Sequence, residues 1–157
     1  MRILVLSDSH GSRRSVENAI EQQPDAKNVI FLGDGEDDIE SAGRFFTDRS
    51  FYIVCGNCDF SPSYPAQRLL NIGGKRIFIC HGHTYGVKHG YEKVIEAAKL
   101  EKADILLFGH THVAYTNYLD GMYIMNPGSL SRPKDIGGSS YGYIDITPSG
   151  IMPVIVR

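Results

Sequence analysis

The stretch FYIVCGNCDF, residues 51–60, admits three readings. Cys55 and Cys58 have the Cys-x-x-Cys spacing of a dithiol redox pair, and equally of half a zinc site. The third reading is an apolar strand whose end delivers Asn57 to a site built elsewhere. The choice turns on whether the rest of the chain supplies company for the thiols or for Asn57. A redox dithiol sits at the start of a helix, where the dipole lowers a thiol pKa. Here Cys58 is followed by DFSPSYP, residues 59–65, whose two prolines read as loop. A structural zinc on Cys55, Cys58 and Cys80 with His81 would take a histidine from the larger set described next. The strand reading is therefore the expected one.

Five apolar runs each stop at a cluster of metal-ligand residue types: Ser7-Asp8-Ser9-His10, Gly33-Asp34, Gly56-Asn57, His81-Gly82-His83 and Gly109-His110-Thr111-His112. The leading ligands stand at 8, 34, 57, 81 and 110, with successive gaps of 26, 23, 24 and 29 residues. Such gaps suit strand-helix-strand or strand-hairpin units that return to the same edge of a sheet. Open α/β sheets bind ligands just beyond the carboxyl ends of their strands, so Asp, His and Asn side chains are expected to meet at one spot. Asp8-x-His10 and His110-x-His112 can diverge on the loops to serve two adjacent ions. The flanking glycines let the backbone bend where bulkier residues would collide.

Between these ends the pattern is layered α/β. RILVLSD reads as a first strand, and Ser12 as an N-cap before a helix with Val16, Ala19 and Ile20 on its apolar face. NVIFLGD is a second strand, Glu36 to Phe46 a short helix with a solvated acidic start, and FYIVCGN a third strand. RLLNIGGKRIFICHGH reads as a hairpin turning at Gly73-Gly74. Tyr91, Val94, Ile95 and Ala98 fall at helical spacing, and DILLFGH is a further strand. After His112 come AYTNYL, MYIMN, YGYIDI and MPVIVR, short strands separated by turn signals. The expectation is one domain over residues 1–157, a mixed-sheet layered α/β fold.

Composition narrows the function classes. The 157 residues are 42% hydrophobic with net charge -2 and a sequence pI near 6.3. Basic residues never cluster beyond Arg13-Arg14, which read as helix-surface charge, so no nucleic-acid-binding face is expected. No apolar run approaches the length of a membrane span, and the start of the chain lacks a signal peptide's apolar region. Three cysteines argue against a disulfide framework. A cytoplasmic protein is expected, and self-association into a homo-oligomer is left open.

The five strand-end motifs, in this order, resemble the calcineurin-like metallophosphoesterase superfamily. The short chain, GNCD at 56–59 and NPGS at 126–129 resemble its small stand-alone bacterial and archaeal phosphodiesterases. The resemblance implies a four-layer α-β-β-α sandwich of two mixed sheets with a binuclear metal centre at the strand ends. It places Asp8, His10, Asp34 and His112 on one ion and Asp34, Asn57, His81 and His110 on the other, with Asp34 bridging. Two carboxylates against two divalent ions leave a positive site suited to a small phosphate ester. Imidazole and oxygen ligands without thiolate favour Mn first, with Ni, Fe or Zn as alternatives. The implied reaction is in-line attack of a metal-bridging hydroxide on phosphorus.

Many superfamily members carry His where this chain has Cys58, and a thiol is a poor proton donor to an alkoxide. The departure points to a phosphodiesterase rather than a broad phosphomonoesterase. Asp34 and Asn57 are the expected catalytic residues, with His83 as the spare imidazole for a leaving group. Asp59 is either an orienter of a ligand histidine or a turn residue. Asn126 and Ser129 of NPGS either approach substrate or make a structural turn. His89 reads as a surface histidine, and the tyrosines as core and edge residues. Competing functions are a phosphomonoesterase, a nucleotide pyrophosphohydrolase, or a non-catalytic scaffold like the retromer cargo-binding subunit. Every ligand position here holds a competent residue, which favours an enzyme.

Overall fold

The structure, a computed structural model, describes residues 1–60 and 62–157. Of the loop expected at 59–65, Ser61 lies outside the described residues. The elements in chain order are β1 (Arg2–Leu6), α1 (Arg13–Glu21), β2 (Asn28–Phe31), α2 (Glu36–Gly43), β3 (Ser50–Ile53), β4 (Gln67–Ile72) and β5 (Lys75–Cys80). They continue with α3 (Glu92–Leu100), β6 (Ile105–Leu107), β7 (Ala114–Leu119), β8 (Met122–Pro127), β9 (Tyr141–Thr147) and β10 (Gly150–Val156).

Two five-stranded mixed sheets result, ordered β10-β9-β1-β2-β3 and β4-β5-β6-β8-β7. In the first, β1, β2 and β3 run parallel, and β9 and β10 complete it antiparallel. In the second, β5, β6 and β8 run parallel, with β4 and β7 antiparallel at the edges.

Strand alternation explains how these sheets stack. Ile3 and Val5 of β1 face one way and join Ile77, Ile79, Ile105 and Leu107 of the other sheet in a shared core. Leu4 and Leu6 face the other way, against Val16, Ala19 and Ile20 of α1 and Ile39 and Ala42 of α2. On the far side, Phe78, Cys80 and Leu106 pack with Val94 and Ala98 of α3. Three apolar layers separate four layers of structure, which is the expected α-β-β-α sandwich. Truncating a fully buried member of the central layer, such as Ile77, is expected to cost about 2–5 kcal/mol.

Two local expectations need correction. Helix α2 closes at Gly43, short of Phe46. Glycine is a weak helix former, and the next residue, Arg44, stands at the C-cap. Ser12 stands at the N-cap position of α1 but makes no side-chain cap; its hydroxyl pairs with Ser15 Oγ at 2.7 Å. The Gly73-Gly74 hairpin turn is as expected, with φ of 61° and 73°.

Candidate metal centre

The motif-bearing loops follow β1, β2 and β3 of one sheet and β5 and β6 of the other, so the site spans both. Their backbone is unusual. Asp8, His10, Asp34, His110 and His112 all hold positive φ, between 45° and 68°. Left-handed backbone costs a non-glycine residue about 1–3 kcal/mol and persists only where surroundings over-determine it. Cross-loop bonds supply that: Asp8 N donates to Gly33 O and His10 N to Asp34 O, both at 3.0 Å. Gly33 is required there, because with φ of 97° a Cβ would lie 2.5 Å from Gly56 N.

Two groups of ligand atoms form, each within 4.8 Å: Asp8, His10, Asp34 and His112, and Asp34, His81 and His110. Asp34 belongs to both. His112 Nε2 lies 3.0 Å from Asp8 Oδ1 and 3.2 Å from His10 Nε2. His81 Nε2 lies 3.4 Å from Asp34 Oδ2 and 3.1 Å from His110 Nδ1. Asp8 Oδ1 is buried and receives no hydrogen bond among the described residues, although its partner Oδ2 accepts from Ser7 Oγ and His110 N. A buried, unpaired carboxylate oxygen facing imidazoles is the arrangement a cation satisfies, so these residues fit a metal site.

The ring orientations are fixed from behind. His81 Nδ1–H donates to Leu32 O at 2.7 Å, and His112 Nδ1–H to Arg132 O at 2.6 Å. Both therefore present an unprotonated Nε2 to the cluster when neutral. Asp34 sits well below the usual carboxylate range: burial opposes this, but the hydrogen bond and charge of His81 and the Cys58 N–H outweigh it. The close Asp8 carboxylate raises His112, whereas burial and then the nearby His81 push His110 down to about 4. Burial disfavours the charged form of His81, yet Asp34 and Asp8 raise it overall. His10 is lowered by burial.

Of the acidic residues read as a solvated helix start, Asp37 is exposed as expected, but Glu36 and Asp38 are structural clamps instead. Asp38 is buried and accepts from Ser9 Oγ at 2.5 Å and Gly11 N at 2.9 Å. Glu36 is buried too, and accepts from Ser63 N. Asp59 orients no histidine: its carboxylate accepts from the N–H groups of Asp34, Gly35, Glu36 and Gly56. It thereby fixes the loop carrying Asp34 to the end of β3. NPGS likewise braces. Asn126 Nδ2 donates to Gly109 O and Thr111 Oγ1, and Ser129 Oγ donates to Asp8 O. A sixth strand end, that of β8, thus holds two ligand loops together.

Asn57 is exposed and lines a cavity of about 500 Å³ together with His10, Asp34, Cys58, Phe60 and Arg132. Its Nδ2 donates to Cys58 Sγ at 3.3 Å. His83 lies beside the second group, 5.4 Å and 6.0 Å between ring centroids from His81 and His110. Burial, then the charge of His81, lowers its pKa, which leaves it a neutral imidazole near pH 7. All three cysteines are free; burial and the neighbouring Asp34 raise Cys58, and burial pushes Cys80 up to about 12. No thiol here is activated. Arg13 pairs with Glu17 along α1, as surface charge does, and His89 is exposed.

A four-layer sandwich with carboxylates and imidazoles gathered at its strand ends is the architecture of a metallophosphoesterase. The profile of the calcineurin-like phosphoesterase superfamily domain matches residues 1–149, and the chain belongs to that superfamily. The probable metallophosphoesterase YsnB of Bacillus subtilis (strain 168) is 31% identical over 146 residues, spanning 93% of this chain and 85% of YsnB. Phosphodiesterase YfcE of Escherichia coli (strain K12) is 29% identical, spanning 92% and 88%. Among solved structures, a predicted phosphoesterase of Streptococcus pneumoniae TIGR4 superposes with a TM-score of 0.81 at 26% identity, over 99% of this chain and 97% of that one. Zinc-complexed Vps29 of Entamoeba histolytica reaches 0.77 at 21% identity over 99% and 98%, a likeness of fold.

Proposed function

We propose that this protein is a phosphodiesterase working at a binuclear centre, with Asp8, His10, Asp34 and His112 holding one divalent ion and Asp34, Asn57, His81 and His110 the other. The observation that carries this reading is the sharing of one carboxylate, Asp34, between two ligand groups. Mn suits the mixed imidazole and carboxylate set, with Ni, Fe and Zn as alternatives. Two such ions, when bound, would supply positive charge against the phosphoryl oxygens and would acidify water at neutral pH.

The chain's own residues set the rest. Asp34 holds both groups in register, and its low pKa keeps it anionic across the working pH range. Asn57, exposed on the cavity wall, offers an uncharged amide oxygen without adding negative charge. Cys58 keeps its proton and is a weak acid, and His83 is a neutral imidazole suited to hydrogen-bonding a leaving oxygen. With little help for departing alkoxides, esters with acidic leaving groups are favoured. The name of the relative YfcE supports diester over monoester chemistry. The free thiols suit a reducing, cytoplasmic setting, and the three shared cores suit one domain over residues 1–157.

The test is a comparison of an aryl phosphodiester with the matching monoester, on Mn-loaded protein. The diester is expected to turn over faster, and Cys58→His to raise the monoester rate selectively. A preference for the monoester in the wild-type protein would overturn the diesterase reading. A loaded protein inert toward all phosphate esters would leave the scaffold reading standing instead.

A further inference from the structure

The cavity beside the first ligand group carries two features that the proposed chemistry leaves unused. Phe60 is 96% exposed, on the connection from β3 to β4, yet its ring lines this cavity. A large apolar side chain held in water at the mouth of a polar site is unfavourable unless something covers it. Arg132 lines the same cavity from the connection between β8 and β9.

Arg132 is fixed at its backbone: its N–H donates to Ser129 Oγ at 2.9 Å, and its carbonyl accepts from His112 Nδ1. Its guanidinium, in contrast, makes no ion pair among the described residues, although acidic residues line the same walls. The reason is visible in the walls themselves. Asp38 Oδ2 and both Asp59 oxygens accept from N–H and O–H donors, and so does the Glu36 Oε1 that meets Ser63 N. Most of the acidic lining is therefore turned inward, Asp37 alone of it being exposed, and Arg132 is the one permanently charged cation among the described lining residues. It lies close enough to His10 for its charge to be felt there.

We propose that Phe60 and Arg132 are the substrate-selecting residues of this cavity: Phe60 stacks on a planar group of the ester, a nucleobase or aryl ring, and Arg132 clamps a phosphoryl oxygen. The proposal rests on the phosphoesterase reading and narrows it to esters in which one alcohol is a nucleoside or a phenol. Arginine's planar fork matches phosphate oxygens, and an exposed aromatic face accepts any base because every base has a π-face. The two residues divide the labour: the arginine reads what all phosphate esters share, and the phenylalanine reads what only some carry.

Calorimetric titration of Mn-loaded protein with adenosine 5′-monophosphate, ribose 5-phosphate and inorganic phosphate tests this division. Phe60→Ala is expected to weaken adenosine monophosphate at least about fivefold, the low end of base–aromatic stacking, and to leave the other two unchanged. Phe60→Tyr retains the binding. Arg132→Ala is expected to weaken all three by about tenfold or more, with metal content equal to wild type. In kinetics, Phe60→Ala raises KM for a diaryl diester and leaves that for an alkyl diester alone. Equal binding of the nucleotide and the sugar phosphate to wild type, or equal losses for both in Phe60→Ala, overturns the proposal while the phosphoesterase reading stands. Metal-loaded wild type that binds none of the three probes and hydrolyses no ester removes both.

Discussion

At the ligand-bearing ends of the central strands, five non-glycine residues hold left-handed backbone; at the hairpin turns elsewhere, the same bend falls mainly to glycines, Gly73, Gly74 and Gly121, with Asp120 beside the last. Among the described residues only Lys102 and Asp120 share that conformation outside the site. A turn that merely reverses the chain uses the residue for which the bend is cheap. A turn that must also carry an imidazole or a carboxylate cannot, because glycine has no ligand to offer. The strain then has to be held by neighbours, and the carboxylates of Asp38 and Asp59 do so through backbone N–H groups. The difference teaches that much of the acidic sequence around this site is scaffolding for its geometry rather than part of its metal-binding set.

The largest break in that comparison is Asp34→Ala, which removes the one side chain common to both ligand groups. Turnover is expected to fall at least about a thousandfold, with most bound metal lost by elemental analysis. Next comes Asp59→Asn, which keeps shape but turns a donor toward N–H groups that need an acceptor. It is expected to cost about 2–4 kcal/mol in denaturant unfolding and to weaken metal binding about ten- to a hundredfold, though Asp59 is in neither ligand group.

A paired substitution sharpens the contrast further. In Gly109→Ala a Cβ would meet Ser7 Oγ and stand 2.9 Å from Asp8 Oδ2, whereas at Gly74 nothing lies within 4 Å. Gly109→Ala is expected to cost about 1–3 kcal/mol and to lower metal affinity. Gly74→Ala should cost only about 1 kcal/mol of backbone strain and leave metal titrations unchanged. The smallest effect lies away from the site, at the Arg2–Asp145 pair between β1 and β9, with contacts of 2.9 Å and 2.7 Å. The Arg2 hydrogen bond holds Asp145 below the usual carboxylate range. Its stabilisation is therefore present above the unfolded value of about 3.9 and is lost as pH falls through the lower folded value. Asp145→Asn is expected to cost about 0.5–1 kcal/mol at pH 7, and urea midpoints of the two proteins should converge in acid.

The six Asp and His positions that the structure gathers were legible because such residues rarely close apolar runs in succession, and strand periodicity marked those runs. The four-layer stacking was legible from the same alternation, together with the family resemblance. What local patterns missed was non-local. Glu36 and Asp38 look like charges on a helix start until Ser63, Ser9 and Gly11 close on them from some 27–29 residues away. Asp59 read as either a histidine orienter or a turn residue because its partners lie mostly on another loop, 23–25 residues back. The left-handed histidines were not legible, since histidine tolerates that backbone better than most residues but adopts it only where cross-loop bonds hold it. The early end of α2 falls at Gly43, a weak helix former inside an otherwise helical pattern.

The contribution of both sheets to the ligand groups has a consequence for the order of assembly. A chain made from its N-terminus has Asp8, His10, Asp34 and Asn57 available once the first parallel strands exist, an oxygen-rich set with one imidazole. The other three imidazoles arrive on β5 and β6, and His110 meets Asp8 across 102 residues of sequence. Neither candidate ligand group is thus complete in one layer; each is closed only when the two sheets meet.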